Sequence, residues 1–279
     1  MSHLTLSRLK SWVLLRSVRL LYILPFFTRI VRRCPICGGK GEFEHKNKYT
    51  RLDRCLTCGH VYARKQPGKR ILNLTYGEFD YWFKDRVHQG ITEMADPAQW
   101  DEYLRARIGV LMESGVLHHN RSYKIFEIGC SEGMLLRELA NYGHETSGCE
   151  MNRAIAERGE RELGTTIVPC MFEDMPVSPH SYDLVLCYHT LEHMNRPIAA
   201  FEKIRCMLRS DGAVVVEVPC GKEEYDNTDH VHFFSAESLR RLLDRFFEQT
   251  EIIDNAYEDA RGVVIGSLYG IGKRPKGSS

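Results

Sequence analysis

Lys124-Ile125-Phe126-Glu127-Ile128-Gly129-Cys130-Ser131-Glu132-Gly133-Met134-Leu135-Leu136-Arg137-Glu138-Leu139-Ala140 is the stretch that decides the fold. It opens as a short apolar run. It closes with Met134, Leu135, Leu136 and Leu139, which share one helical face. Between the two lie Gly129 and Gly133. The pattern reads as strand, tight turn, helix. Glycine lets the backbone approach a ligand closely, and the amides that open the helix offer hydrogen-bond donors. Glu127 ends the strand, where a carboxylate can hold a ligand amine or hydroxyl. A dinucleotide fingerprint requires G-x-G-x-x-G, so the spacing is wrong for it. Gly129-Cys130-Ser131-Glu132-Gly133 spells the G-x-S-x-G of a hydrolase nucleophile elbow. That fold needs strands and an oxyanion loop upstream, and residues 62–122 read as mostly helical or irregular. An ordinary βα turn is the plain alternative.

The next residues outward select among these readings. Glu145 to Glu150 reads as a second strand ending in an acid, 23 residues after Glu127. A carboxylate there can accept both hydroxyls of a ribose. Ile167 to Cys170 leads to Phe172-Glu173-Asp174, where a third strand would end. Tyr182 to Cys187 reads as a fourth strand, followed by Tyr188-His189-Thr190-Leu191-Glu192-His193. Taken together, these features resemble class I S-adenosylmethionine-dependent methyltransferases. Their usual loop is an acid followed by Gly-x-Gly-x-Gly, and Ser131 replaces the middle glycine here. The Leu-Glu-His step after a Tyr-Asp-Leu-Val strand is frequent in that family. The resemblance covers residues 123 to about 273. It implies a Rossmann-like, mostly parallel seven-stranded α/β sheet with helices on both faces. It also implies S-adenosylmethionine as cofactor, held by Glu127, Gly129, Ser131, Gly133, Glu150, Met151, Glu173, Asp174 and Tyr188. Asp174 is expected to face the adenine amine.

Beyond the fourth strand, Arg196-Pro197 opens a helix and Leu208 to Gly212 reads as a turn. Ala213 to Val218 is the expected fifth strand, and residues 220–229 an acidic loop. His230-Val231-His232-Phe233-Phe234-Ser235 precedes a helix from Ala236 to Phe246, a further likeness to the family. Gln249 to Ile253 and Val263 to Gly272 read as a final antiparallel pair. The resemblance places the methyl acceptor among four histidines. His189 and His230 are the leading candidates for the base that takes the acceptor's proton, ahead of His193 and His232. Asp229 is the expected orienting acid for His230. His193 is expected to pack under the cofactor, and each of the four has a structural alternative.

The chain has 10 cysteines. Cys34, Cys37, Cys55 and Cys58 form C-x2-C, 17 residues, C-x2-C, a spacing that predicts a closed, structural zinc ribbon over residues 34–63. A pair of redox C-x-x-C motifs is the alternative, but neither opens a helix in a βαβ unit. His60 is expected to be a bystander. The other six cysteines lie at no metal-like spacing and read as buried small hydrophobes of a reduced, cytoplasmic protein. A zinc ribbon ahead of this domain is similar to sugar C-methyltransferases, to related glycan and natural-product enzymes, and to some ribosomal RNA methyltransferases.

Net charge is +1, but seven basic residues and no acid fall in residues 1–33. The remainder carries 31 basic against 37 acidic residues (38 − 7 = 31), which argues against a nucleic-acid footprint. Residues 1–33 read as a basic amphipathic helix with Pro25 breaking it. Its longest uncharged run, Leu20 to Thr28, is too short to span a bilayer. Three readings stand for it: lying on an anionic membrane at the inner face of the cytoplasmic membrane, packing on the protein, or a start-site artefact. Residues 64–122 are expected to be a linker and helical lid. Their Tyr76, Phe79, Tyr81, Trp82 and Phe83 either cover the cofactor or pack the ribbon on the main domain. The methyltransferase domain is expected over 123–273 and a frayed tail over 274–279. The expected activity is methyl transfer to a small-molecule, sugar, glycan or lipid-linked acceptor. A ribosomal RNA methyltransferase and a non-catalytic S-adenosylmethionine-binding scaffold are the alternatives.

Overall fold

The computed structural model describes residues 27–78, 97–258 and 264–277. Residues 1–26 of the helix expected over 1–33, and the aromatics Phe79, Tyr81, Trp82 and Phe83, lie outside them. The first strands are β1 (Thr28–Ile30), β2 (Gly41–Lys46), β3 (Arg51–Cys55), β4 (Val61–Ala63) and β5 (Lys65–Pro67). β1 pairs antiparallel with β5. This corrects two expectations: Thr28–Ile30 is strand rather than the end of a helix, and Lys65–Pro67 is its partner rather than free linker. A short α1 (Lys69–Leu72) runs into a π-helical turn, Asn73–Glu78, and α2 (Pro97–Glu113) follows.

The remainder alternates strand and helix: β6 (Lys124–Ile128), α3 (Met134–Asn141), β7 (Glu145–Glu150), α4 (Arg153–Leu163), β8 (Ile167–Pro169), β9 (Tyr182–Tyr188), α5 (Pro197–Met207) and β10 (Leu208–Pro219). Then come β11 (His232–Phe233), α6 (Ala236–Asp244), β12 (Phe247–Glu258) and β13 (Val264–Pro275). Seven strands form one sheet in the order β12-β13-β10-β9-β6-β7-β8. β8, β7, β6, β9 and β10 are mutually parallel, and β12 and β13 close the edge antiparallel. The sequence read as a turn at 208–212 is the irregular start of β10, where the register shifts between Leu208 and Ala213.

Alternation along the strands builds a core on each face. Phe126, Ile128, Val185, Cys187, Val214 and Val216 pack with Phe201 and Ile204 of α5 and with Leu239 and Leu242 of α6. Ile125, Leu184, Leu186 and Val215 pack with Leu104, Ile108 and Leu111 of α2 and with Leu135 and Leu139 of α3. The helix ends follow from local chemistry. Asn152 Oδ1 accepts the Ile155 N–H at 3.2 Å to start α4, and Pro197 sits in the first turn of α5. The chain order turns around between β6 and β9, so the crevice lies above the carboxyl ends of those strands. Among the described residues no strand of this sheet precedes β6, where a hydrolase elbow needs strands upstream.

A second sheet has the order β11-β4-β3-β2. The ribbon is therefore not separate from the domain: His232 and Phe233 supply its fourth strand, paired with Tyr62 and Val61. Among the described residues no helix is long and apolar enough to cross a membrane.

Candidate active site

β6 delivers Glu127 and the glycine turn to the crevice. Gly129 has φ +70°, and a Cβ there would collide with Thr190, which follows β9. Ser131 has φ +50°, the left-handed backbone that glycine adopts freely, so its side chain stands at a cost of roughly 1 kcal/mol. Gly133 is left-handed too and caps α3. Glu150, at the end of β7, ties this turn to its own strand. Its Oε2 accepts the Ser131 N–H at 3.2 Å and its Oε1 the Asn152 N–H at 2.8 Å. Ser131 Oγ donates to Glu132 Oε2 at 2.6 Å, so the hydroxyl is committed to a carboxylate rather than to a histidine base.

Of the sequence-predicted cofactor residues, Glu127, Gly129, Ser131, Gly133 and Glu150 come together, with half-buried Met151 beside them. Glu173 and Asp174 lie exposed on a 3-10 turn, where Asp174 meets Lys69 Nζ at 2.6 Å. Tyr188 is engaged in the interior, its ring centroid 4.3 Å from Arg107 Cζ. Glu127 is buried, and burial pushes its carboxyl up to about 8, against the pull of Arg107 and with the help of Glu150.

The histidines fall into two groups. His60 and His232 are fully buried, with His60 Nε2 3.1 Å from His232 Nδ1 and His60 Nδ1 3.4 Å from Ser238 Oγ. Burial drops His232 to about 3. Through His60 it connects to Ser238 of α6. His189, His193 and His230 gather instead around the buried Glu192. Two expectations change here. The acid beside His230 Nδ1 is Glu224, at 3.2 Å; Asp229 instead presents its carbonyl to His193 Nδ1 at 3.0 Å. His189 lies between Glu192, 3.7 Å from Nδ1, and Glu217, 3.4 Å from Nε2. Burial opposes its charge, but the two carboxylates win and push it up to about 9. At neutral pH it already carries the proton that a base would have to take.

Sequence reading missed Arg107, Glu217 and Glu224. Arg107 Nη2 and Nε donate to Glu217 Oε2 at 2.9 and 3.1 Å, and Ser267 Oγ donates to Oε1 at 2.9 Å. Glu217 stays well below the usual carboxylate range despite burial, because His189 and Arg107 face it. A signal existed: Glu217 is the one charge in the apolar run Ala213 to Val218.

Cys34, Cys37, Cys55 and Cys58 have all four Sγ atoms within 4.8 Å of one another. Three of the separations are 3.4–3.5 Å, slightly inside the roughly 3.8 Å that a tetrahedral zinc–thiolate set requires. Gly38 and Gly59 take left-handed φ after each second cysteine, and the Gly38 and Gly59 N–H groups bond back to Cys34 O and Cys55 O. The donor set suits a metal ion, and His60 takes no part in it.

Comparison with known proteins fits this architecture. The model of a methyltransferase domain matches residues 126–216. Ubiquinone biosynthesis O-methyltransferase from Vibrio cholerae is 27% identical over 97 residues, covering 33% of this chain and 40% of that protein. The human mitochondrial arginine-hydroxylase NDUFAF5 is 26% identical over 161 residues, 56% of this chain and 44% of that protein. The chain thus spans about two fifths of the length of the curated relatives it matches. Two solved structures show the fold alone. One is a Galdieria sulphuraria protein assigned as a sarcosine dimethylglycine methyltransferase (TM-score 0.51, 13% identity, 63% of this chain and 85% of that one). The other is a Bacillus halodurans protein assigned as a methyltransferase (TM-score 0.50, 11% identity, 61% and 100%). Sheet order, glycine turn and domain match agree on the fold of class I S-adenosylmethionine-dependent methyltransferases, with residues 126–216 matching the methyltransferase-domain model.

Proposed function

We propose that this chain transfers the methyl group of S-adenosylmethionine to a small-molecule acceptor. The observation that carries the reading is the glycine turn from Gly129 to Gly133, fastened through Ser131 to Glu150 at the next strand end. With both Glu150 oxygens already accepting backbone N–H groups, the carboxylate is fixed in place, and its remaining lone pairs take the ribose hydroxyls. Glu127 holds the methionine ammonium, and the Gly129 backbone lets the sulfonium approach. Support for a small acceptor comes from relatives named for ubiquinone biosynthesis. Lipid-linked and glycan acceptors, and an anionic membrane surface met by residues 1–33, remain within the same proposal. The four cysteines hold one structural zinc, because four thiolates close a tetrahedron and leave no open position.

Methyl transfer from a sulfonium is an in-line displacement, so holding acceptor and methyl in near-attack geometry is the main task. An oxygen or carbon acceptor also gives up a proton. His193 and His230, beside Glu192, are the groups that would meet that proton.

Glu150→Ala tests the cofactor assignment. It removes charge-assisted hydrogen bonds and is expected to weaken S-adenosylmethionine binding by about 1.5–3 kcal/mol in calorimetry. Unchanged affinity would overturn the assignment of Glu150.

The pH dependence of binding tests Glu127. Burial pushes its folded carboxyl from the ordinary 4.5 up to about 8. Its contribution to stability is therefore full below 4.5 and lost as pH rises through 8. Pairing with the cofactor's ammonium requires the carboxylate, so binding releases a proton at neutral pH. Affinity should climb by up to about tenfold per pH unit toward pH 8, roughly 1.4 kcal/mol per unit. Above that the ammonium itself begins to deprotonate. Glu127→Gln should flatten the climb. A pH-independent affinity in the unsubstituted protein would remove Glu127 from the ammonium.

A further inference from the structure

We propose that Glu192, His193 and His230 form a binding site for one divalent transition-metal cation beside the methyl donor. One ligand atom from each lies within 4.8 Å of the others, with Glu192 Oε1 3.8 Å from His193 Nε2 and 4.0 Å from His230 Nε2. Hydrogen bonding fixes the tautomers. His193 Nδ1 faces the Asp229 carbonyl at 3.0 Å, and a carbonyl only accepts, so the proton is on Nδ1. The second neighbour of that Nδ1, the Tyr76 hydroxyl at 3.3 Å, leaves Nε2 unaffected. His230 Nδ1 lies 3.2 Å from the Glu224 carboxylate without a hydrogen bond, so its tautomer is set from the other nitrogen. The Asn227 amide nitrogen, a pure donor, lies 3.1 Å from His230 Nε2, which must therefore accept. Both Nε2 atoms thus lack a proton of their own and lie within 4.0 Å of the Glu192 carboxylate, with the Asn227 N–H on that of His230. Glu192 is 1% exposed, and its Oε2 has no hydrogen-bond partner among the described residues. Such a set of Lewis bases repels itself unless a cation stands among them. His189, 3.7 Å from Glu192 Oε1, balances part of the charge, but its other nitrogen faces Glu217 and it reaches neither Nε2.

The outer contacts are those of a metal site. Imidazole ligands donate their far N–H to a carbonyl or carboxylate, as His193 does to Asp229; the Glu224 carboxylate stands 3.2 Å from His230 Nδ1 as an ion-pair contact. Two imidazoles and one carboxylate suit a first-row transition ion, whereas magnesium and calcium prefer oxygen throughout. The site is chemically unlike the four thiolates of the ribbon, so the two select different ions. Three protein ligands leave coordination positions open. These lie at the end of β9, where Thr190 abuts Gly129 of the cofactor turn. The Asn227 amide is the donor that an incoming ion displaces.

Only the role of the ion rests on the methyltransferase reading. An acceptor hydroxyl bound at an open position loses its proton to water. Its oxygen lone pair forms the new bond to the methyl carbon, and the carbon–sulfur pair stays on sulfur. The acceptor class is then a phenol, an enol or another coordinating hydroxyl.

Titrating Mn2+ into the zinc-replete full chain tests the site, since manganese does not displace zinc from thiolates. One Mn2+ per chain is expected, with electron spin-echo modulation from two imidazole nitrogens in the unsubstituted protein. His193→Gln and His230→Gln should each abolish binding, and Glu224→Ala should weaken it by about 10- to 100-fold. Zinc content and S-adenosylmethionine binding report that each variant is folded. No bound Mn2+, or a bound ion without nitrogen modulation, overturns the proposal without recourse to any variant. Cofactor binding without Mn2+ would sink the metal site and keep the methyltransferase reading. Mn2+ binding with no affinity for the cofactor would do the reverse.

Discussion

Cys55→Ser is expected to remove the metal from the ribbon and to loosen the histidine cluster with it. The serine hydroxyl cannot replace a thiolate in the tetrahedron. Burial opposes charge on the Cys55 thiol, but the Thr57 and Cys58 N–H groups bring it down to about 7. Structural zinc supplies about 10–16 kcal/mol of binding free energy in isolated fingers, and that energy is folding energy for the small sheet it organises. Here the sheet has a foreign strand. β11 pairs with β4, Ala63 N–H donates to Val231 O at 3.0 Å, and Val231 N–H donates to Glu192 O at 2.9 Å. Loss of the ribbon therefore reaches His230 and Glu192 through three residues of backbone. The glycine turn and Glu150 stand on β6 and β7, which the ribbon does not touch in the sheet. The variant should lack zinc by atomic absorption, unfold in part at lower temperature, bind S-adenosylmethionine nearly normally and lose most of its methyl transfer. Full turnover in a zinc-free variant would show that the ribbon and the cluster are independent.

That coupling was out of reach of the sequence for a physical reason. Local patterns, such as the apolar run into Gly129 or the paired C-x2-C motifs, carry their own periodicity or spacing. The sheet strands, the turn and the cysteine pairs are legible from these patterns alone. β11 is two residues long, too short for alternation to register, and its partner lies about 170 residues earlier. The sequence therefore read the ribbon as a separate unit. The same limit explains Asp229. Adjacency along the chain nominated it as the acid beside His230, but the loop folds so that Glu224 arrives there and Asp229 offers its backbone to a different histidine. His189 was legible as a residue at a strand end. Its charge state was not, because Glu217 and Glu192 come from two strand ends that only the sheet brings together.

Arg107→Met is expected to destabilise the fold by about 3–5 kcal/mol, because it leaves a buried carboxylate without its main partner. Arg107 lies in α2, outside the matched domain segment, and reaches 110 residues along the chain to Glu217. Its guanidinium lies between aromatic faces, 4.1 Å from the Tyr103 ring centroid and 4.3 Å from that of Tyr188. Glu217 is 1% exposed, so water cannot take the place of the lost donors. His189 still faces it and keeps the loss toward the lower end of the range. Methionine fills much of the volume, so the effect reports charge more than cavity. Arg107→Met with Glu217→Gln should recover a good part of the stability, since removing both charges avoids the orphan that either single change leaves. A second readout follows from Glu127. Arg107 holds its carboxyl down, against burial. Without the guanidinium, Glu127 should titrate higher, and the climb of S-adenosylmethionine affinity with pH should shift upward in the single variant. A structural role confined to packing would move the unfolding midpoint and leave that profile in place. An unfolding midpoint unchanged in Arg107→Met would show instead that His189 alone balances Glu217 and that the ion pair contributes nothing net.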